Sequence, residues 1–542
     1  MKIFNPTHQQ TNAIEYGRSM IITACPGSGK TTVIKEKIRN VTSELPSYKG
    51  FIAITFTVKA SEELEMRCKK DAHDTKNSFF GTIDSFCLSE IILPFLRKVW
   101  GGDPSQCKIV KKLGLPYSNY IRNTKNPSPT FEEIDSDQGF KRLYDEGILV
   151  MNTFSGLALK IINNSLSSRR YLKSRYSHIF IDEYQDVSLS QHQLFLKLNE
   201  LGLTSVAVGD IWQSIYEFRG GSSELLIELV SNKDAFKHFE INLNHRCHPS
   251  IINYASRLLD KNFQLLKTPS INVYRRRMTG NLKEIGSTIS EEITTWLNEN
   301  MWDLNKPKEI AILTRKQDSL ILLSLGLKVN YRLYIDTPLD KIETECSTLF
   351  INLLKYKYDQ KSTTQEVINK TKFKVEIEGS HLVKIRRKIK KLRAIDSVQD
   401  LVDEFNSIAE LIGLKSKKGD KTALLEIFED EILLNQFRPT NDEEIQMMTL
   451  HKSKGLEFKL VLHFDMDEWS FPYREWNDQN KDIPIYPTLQ QETNLHYVGI
   501  TRAENCCILI NSEKRMNSQR NFSKSQESYF FKLEQLSDLF KW

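Results

Sequence analysis

Residues 24–31 read ACPGSGKT and stand directly after an apolar run, SMIITA (Ser19 to Ala24). This is the spacing of a phosphate-binding P-loop, with Ala24 in place of the first glycine. Through Ala24, Cys25, Pro26, Gly27, Ser28 and Gly29, the two glycines let the backbone bend until its N–H groups face an anion. Lys30 then reaches the β- and γ-phosphates of a nucleoside triphosphate, and Thr31, followed by Thr32, offers a hydroxyl to magnesium. A helix starting here adds the positive end of its dipole. A second cluster, HIFIDEYQD (His178 to Asp186), places Asp182 and Glu183 at the end of another apolar run. Adjacent carboxylates in such a place are costly unless a cation or a bound proton compensates. Asp182 holding Mg2+ and Glu183 activating the attacking water would justify that cost, so the two clusters together predict ATP hydrolysis.

Such residues need strands to deliver them. Short apolar runs recur at FIAITF (Phe51 to Phe56), HIFID (His178 to Asp182), SVAVGD (Ser205 to Asp210) and FEINL (Phe239 to Leu243). A second series is EIAILT (Glu309 to Thr314), IQMMTL (Ile445 to Leu450), KLVLHF (Lys459 to Phe464) and CCILI (Cys506 to Ile510). Near-continuous apolar strands alternating with helices predict an α/β fold with parallel sheets covered on both faces. The two series are each interrupted, between Phe86 and Tyr176 by a mainly helical, polar stretch and between Thr344 and Asn435 by another helical one. Two α/β domains, each carrying an inserted helical subdomain, account for this layout. A basic run, KIRRKIKKLR (Lys384 to Arg393), serves equally well as a DNA-binding face or a solvated helix surface.

The 542 residues suffice for roughly three to four domains. A hydrophobic share of 40% and a charged share of 27% are ordinary for a soluble protein, and a net charge of +6 permits a nucleic-acid partner without requiring one. The eight cysteines form no CxxC pair, which argues against zinc or iron–sulfur and for buried thiols in a reducing compartment. With neither a signal-like N-terminus nor a long apolar span, a cytoplasmic, membrane-free protein is expected.

Taken in order, the motifs from Gln10 to Ala503 resemble superfamily 1A helicases of the UvrD/Rep type. TFTVKASEELEMR (Thr55 to Arg67), GTIDSF (Gly81 to Phe86), DEYQD, VGDIWQSIYEFRGG (Val208 to Gly221), LNHRCHPS (Leu243 to Ser250), MTLHKSKGLEF (Met448 to Phe458) and YVGITRAE (Tyr497 to Glu504) carry the resemblance. It implies ATP in a cleft between two RecA-like domains. It also implies an order of 1–88 and 173–250 for the first, 251–343 and 439–542 for the second, with helical insertions 89–172 (1B) and 344–438 (a reduced 2B). Gln10 would read the adenine edge and Gln213 would sense the γ-phosphate. Arg246 and Arg502 would act as arginine fingers, and Glu457 would contact the ribose or its surroundings. Phe56, Thr82, Ser85, Tyr216, Phe218, Arg219 and His451 are the implied contacts to single-stranded DNA, with Thr55 and Thr57 offering hydroxyls to phosphate.

The chain also departs from the pattern. Thr32 stands where UvrD-type members often place an adenine-stacking Arg, and His245 replaces the opposing Tyr. The insertion between Leu339 and Ile445 is short for a 2B subdomain, and the chain stops soon after YVGITRAE, leaving no room for an appended nuclease. In GTIDSFCLSEIILPF (Gly81 to Phe95), FIDEYQDVS (Phe180 to Ser188), IDTPLD (Ile335 to Asp340) and its compact length, the sequence is similar to the UvrD-like subunits of bacterial Gabija anti-phage systems, whose partner is an OLD-family nuclease. The resemblance implies a DNA-dependent ATPase, 3′ to 5′ by analogy, that binds single strands or DNA ends and helps license a nuclease. A stand-alone repair helicase and a nucleotide sensor or scaffold without unwinding are the alternatives.

Overall fold

The computed structural model describes residues 5–122, 126–216, 220–342, 344–372, 379–477, 484–516 and 521–542. The chain divides into two compact units, Met1–Arg246 and Cys247–Trp542. In the first, strands β1 (Met20–Ala24), β2 (Gly50–Ile54), β3 (Phe79–Gly81), β6 (Tyr176–Ile181), β7 (Thr204–Gly209) and β8 (Lys237–Ile241) form a sheet in the order β3-β2-β6-β7-β1-β8, all parallel. The short strands β4 (Lys108–Val110) and β5 (Ile148–Val150) pair separately. Both faces of the sheet are buried. Met20, Ile22, Phe51, Ala53, Phe180, Val206 and Val208 pack on one side with Val33 and Ile38 of the helix Lys30–Glu44. Ile21, Ile52, Ile54, Ile179, Ile181 and Ala207 pack on the other. Neighbouring side chains point to opposite faces of a strand, so burying both faces makes the strand centres nearly continuous apolar runs, while polar residues such as Ser177, His178, Thr204 and Lys237 fall at the strand starts.

The stretch between Phe86 and Tyr176 is helical but, contrary to its expected polar character, not polar where it packs. Phe86, Ile91, Ile92, Phe154, Leu157 and Ile161 join the same apolar cluster as the sheet. The surface residues between them mask an amphipathic pattern.

The second unit repeats the arrangement. Strands β9 (Val273–Met278), β10 (Ile310–Thr314), β11 (Tyr331–Tyr334), β12 (Ile445–Thr449), β13 (Phe458–His463) and β14 (Ala503–Ser512) form a parallel sheet in the order β11-β12-β10-β13-β14-β9. Strands β3, β9 and β11 were not legible as apolar runs. The first is three residues long, and β9 reads VYRRRM because Arg275 is buried against Phe531 and Trp542 while Arg276 pairs with Glu292. Strand β8 also ends two residues before the expected Leu243, which is exposed.

Between β11 and β12, helices from Pro338 to Asn435 enclose a core of their own that includes Phe350, Leu353, Phe405, Ile408 and Leu424. Here the basic run lies on the helix Gly379–Lys391 and the turn Leu392–Ala394 that follows it, with Ile385 and Ile389 facing that core. Lys388 pairs with Glu404 and Arg393 lies over the Tyr356 ring, whereas Lys384, Arg387, Lys390 and Lys391 are exposed. The class is therefore α/β with two parallel sheets flanked by helices. None of the described helices is long and apolar enough to cross a membrane.

Candidate nucleotide and DNA site

In the first unit, three adjacent strands end side by side. Ligands of open parallel sheets bind beyond such carboxyl ends. Strand β1 runs into the P-loop, β7 into Asp210 and Gln213, and β6 into Asp182 and Glu183. Gly27 and Gly29 take φ values of +68° and +81°, in the left-handed region that glycine alone enters without strain. A Cβ at Gly27 would lie 2.6 Å from the Arg246 Cβ and 2.6 Å from the Asn244 Oδ1, so the loop also needs glycine for room. The chain leaving β8 thus folds along the P-loop, with the His245 N–H donating to the Gly27 carbonyl at 3.1 Å and the Arg246 N–H to Asn244 Oδ1 at 2.8 Å. Lys30 opens the helix Lys30–Glu44, and its Nζ lies 3.4 Å from the Ala24 carbonyl across the loop.

Gln10 is buried at the front of a short helix, His8–Glu15. Its Oε1 accepts from the Thr7 N–H at 2.8 Å and its Nε2 donates to the Ser28 carbonyl at 2.9 Å, which ties that helix to the P-loop. An amide has a second lone pair and a second hydrogen beyond these two bonds.

The acidic side is organised by residues not singled out from the sequence. Glu183 has φ +54° and ψ 44°, a left-handed conformation that a non-glycine residue holds at a cost of about 1–3 kcal/mol. Its N–H donates to Asp182 Oδ1 at 2.9 Å. Its carboxylate accepts from Gln185 Nε2, while Gln185 Oε1 accepts from the Asp210 N–H at 3.0 Å. Asp210 Oδ2 in turn accepts from Gln213 Nε2 at 2.8 Å. Burial pushes the Asp210 carboxyl upward, while the charge of Lys30 and the bond from Gln213 pull it back. Gln185 and Asp210 were visible only as letters within DEYQD and VGD. Their role as a bridge is a matter of side-chain direction, which spacing does not give. Thr31 and Asp182 together offer hydroxyl and carboxylate oxygens, the hard donors that Mg2+ prefers.

Three residues after Gln213, the Tyr216 ring stacks on Phe56, with centroids 4.9 Å apart and planes 17° apart. Thr55 Oγ1 donates to the Thr57 carbonyl at 2.9 Å, and Thr57 caps the helix Val58–Lys69. Thr82 caps the turn Ile83–Phe86 by accepting from the Ser85 N–H, and Ser85 Oγ donates to the Thr82 carbonyl at 2.7 Å. Phe218 and Arg219 lie outside the described residues.

In the second unit, Arg502 is buried at the junction of the helix Leu489–Ile500 with β14. Its Nε donates to the Val498 carbonyl at 3.1 Å, Nη1 to the Leu456 carbonyl at 3.1 Å and Nη2 to Thr501 Oγ1 at 3.4 Å. This ties the loop holding His451 and Glu457 to the turn before β14, and the Phe458 N–H donates to the Arg502 carbonyl at 2.9 Å. Glu457 is exposed and His451 half-buried. Gln10, the P-loop, Asp182, Glu183, Gln213, His245 and Arg246 thus belong to the first unit, and His451, Glu457 and Arg502 to the second.

Comparison with known families settles the class. An AAA domain model matches residues 9–219, and a model of the UvrD-like helicase C-terminal domain matches residues 339–514. The chain belongs to the UvrD-like helicase family. The helicase is similar to the Gabija protein GajB of Bacillus cereus, at 29% identity over 93% of this chain and 94% of the relative. It is also similar to the ATP-dependent DNA helicase Rep of Buchnera aphidicola, at 24% identity over 97% and 96%, and to the ATP-dependent DNA helicase PcrA of Staphylococcus epidermidis, at 24% over 94% and 84%. It is accordingly an ATP-dependent DNA helicase of superfamily 1A, with two RecA-like sheets.

Proposed function

We propose that this helicase is a DNA-dependent ATPase that grips single strands or DNA ends and couples ATP hydrolysis to movement along them or to activation of a partner nuclease in anti-phage defence. Residues 1–88 and 173–250 form its first RecA-like domain and 251–343 and 439–542 its second, with 89–172 and 344–438 inserted. Lys30 binds the β- and γ-phosphates. Thr31 and Asp182 would hold Mg2+, which supplies charge neutralisation at the phosphates when bound. Glu183 takes the proton of the attacking water. Gln213 contacts the terminal phosphate, and Arg246 and Arg502 neutralise charge that grows there in the transition state. Gln10 recognises adenine, aided at the nucleotide by Thr32, His245 and Glu457. Thr55, Phe56, Thr82, Ser85, Tyr216, Phe218, Arg219 and His451 line the DNA track. A cytoplasmic protein working on DNA fits this reading.

The observation that carries it is the unbroken line Glu183–Gln185–Asp210–Gln213, which ends three residues before the Tyr216–Phe56 stack. A change at the terminal phosphate felt by Gln213 has a short covalent path to an aromatic pair suited to bases. In the stacked state the two rings leave no room for a base between them, so DNA either parts them or stacks on an outer face. Steady-state ATPase with and without single-stranded DNA tests the coupling. Lack of stimulation, with an OLD-family nuclease also supplied, would count against it. Similarity to GajB is the specific reason for placing that nuclease as partner. Similarity to Rep and PcrA supports the second reading, a stand-alone repair helicase. Strand separation of a 3′-tailed duplex by the purified chain alone would favour that reading.

Two further outcomes are expected. Phe56→Ala and Tyr216→Ala should each weaken single-stranded DNA binding by about 1–3 kcal/mol while leaving DNA-free ATP binding in place. Fluorescence anisotropy on an oligonucleotide measures this, and unchanged affinity in both variants would remove the pair from the track. Gln185→Ala should lower kcat by about a hundredfold with a small change in KM, because it releases the Glu183 carboxylate and the Asp210 N–H that backs Gln213 while leaving the P-loop and Lys30 in place. A loss confined to KM would show that Gln185 acts on nucleotide binding instead.

A further inference from the structure

The helix His8–Glu15 that presents Gln10 is only 8 residues long and has no basic residue in its last turn. A helix this short does not hold itself together in water, and its last carbonyls have no partners within the helix. In this fold they are met from outside. Lys37, seven residues beyond Lys30 on the P-loop helix and 3% exposed, donates from its Nζ to the Ala13 and Ile14 carbonyls, each at 3.2 Å, and to the Tyr16 carbonyl. An ammonium at a helix C-terminus is favoured by the dipole as well as by the hydrogen bonds. Its burial has a cost, seen in a pKa lowered to about 8 by desolvation. An apolar side chain would fill the same space without that penalty, so the charge serves the carbonyls it meets.

The helix is therefore clamped at both ends to one P-loop assembly. At its front, Gln10 Nε2 donates to the Ser28 carbonyl, and at its back Lys37 closes the last turn. An exposed tie on the side, Gln9 Nε2 donating to Asn242 Oδ1 at 3.0 Å, adds to these two clamps, and the buried pair of Gln10 and Lys37 fixes the helix and its rotation against the P-loop and the P-loop helix itself. Rotation matters because an amide recognises adenine by offering an acceptor to N6–H and a donor to N7, a pairing that guanine, with acceptors at both O6 and N7, does not match.

We propose that Lys37 is a positioning residue for base recognition, which fixes the helix His8–Glu15 on the P-loop helix and so sets the aim of Gln10 and the preference for ATP over GTP. This rests on the reading of Gln10 as the adenine contact. The test compares steady-state hydrolysis of ATP and GTP, with single-stranded DNA present, by the full chain and by Gln10→Ala, Lys37→Met, Lys37→Gln, Lys37→Arg and the double variant Gln10→Ala/Lys37→Met. Lys37→Met is expected to raise KM for ATP about tenfold with a smaller change in kcat, and to narrow the ATP-to-GTP ratio of kcat/KM towards that of Gln10→Ala. Lys37→Gln should fall between, Lys37→Arg should restore the ratio, and the double variant should match Gln10→Ala because both changes act through one amide. A Lys37→Met protein with the parental ratio, beside a Gln10→Ala protein that has lost it, overturns the proposal and leaves the role of Gln10 standing. A parental ratio in Gln10→Ala removes the base-reading role itself, and the proposal with it. If Lys37→Met does not fold, Lys37→Gln decides in the same way. If neither folds, the lysine is a structural cap and the proposal falls.

Discussion

Glu183→Gln should lower ATP turnover by about a thousandfold while ATP still binds. The substitution keeps size and shape, so the left-handed turn at φ +54° and the bond from the Glu183 N–H to Asp182 Oδ1 survive. What is lost is a proton acceptor. In the parent, Gln185 Nε2 donates to the carboxylate and holds it in place, and Gln185 Oε1 is fixed by the Asp210 N–H at 3.0 Å. An amide at position 183 presents either a donor or a weak acceptor to the same water, and neither takes its proton at neutral pH. The strain at Glu183 supports this role. A residue with a Cβ is kept in a left-handed turn costing about 1–3 kcal/mol where a glycine would relieve it, as happens where a side chain has to be placed. Single-turnover hydrolysis and equilibrium binding of ATP, measured on the same protein, separate the effects. Persistent turnover would mean that another group accepts the proton.

The sequence made the skeleton of this site legible and left out its connections. ACPGSGKT and HIFIDEYQD announce themselves because a Gly-rich turn and paired acids at the ends of apolar strands have few other uses, and both strands are mainly apolar because both sheet faces are covered. Strand β3 was hidden because three residues give no period, and β9 because Arg275 is buried by stacking on aromatic rings. The bridge through Gln185 and Asp210 could not be read, because which way a side chain points across a sheet edge depends on neighbouring strands far away in sequence. Lys37 was hidden for the same reason. In sequence it is one of several lysines on an amphipathic helix, and only folding brings the Ala13 and Ile14 carbonyls to it. The placement of Asn244 and Arg246 along the P-loop likewise follows from β8 lying next to β1.

Arg502→Ala should reduce kcat by about a thousandfold or more, the scale of losing an arginine finger, with a much smaller change in ATP affinity. The competing explanation is structural, and the geometry makes it a serious one. Arg502 is 2% exposed and donates to the carbonyls of Val498, which also accepts from Thr501 Oγ1, and of Leu456, so its removal unties the turn before β14 from the loop that carries Glu457. The two accounts part in what they predict for folded protein. A purely structural arginine lowers the melting temperature but leaves kcat per folded molecule near parental, and Lys at this position, which cannot meet three acceptors in a planar fork, should then be nearly as damaging to stability as Ala. A finger that acts on the terminal phosphate loses turnover at temperatures where the variant is fully folded. The bond to Thr501 Oγ1, at 3.4 Å, is the weakest of the three and the one most readily exchanged for a phosphate oxygen. Added guanidinium at concentrations below those that unfold the protein should then recover part of the turnover in Arg502→Ala, because the missing charge can be supplied from solution. No recovery, together with normal kcat per folded molecule, would assign Arg502 to holding its loop and leave Arg246, whose Cβ already lies beside Gly27, as the arginine that meets the phosphate.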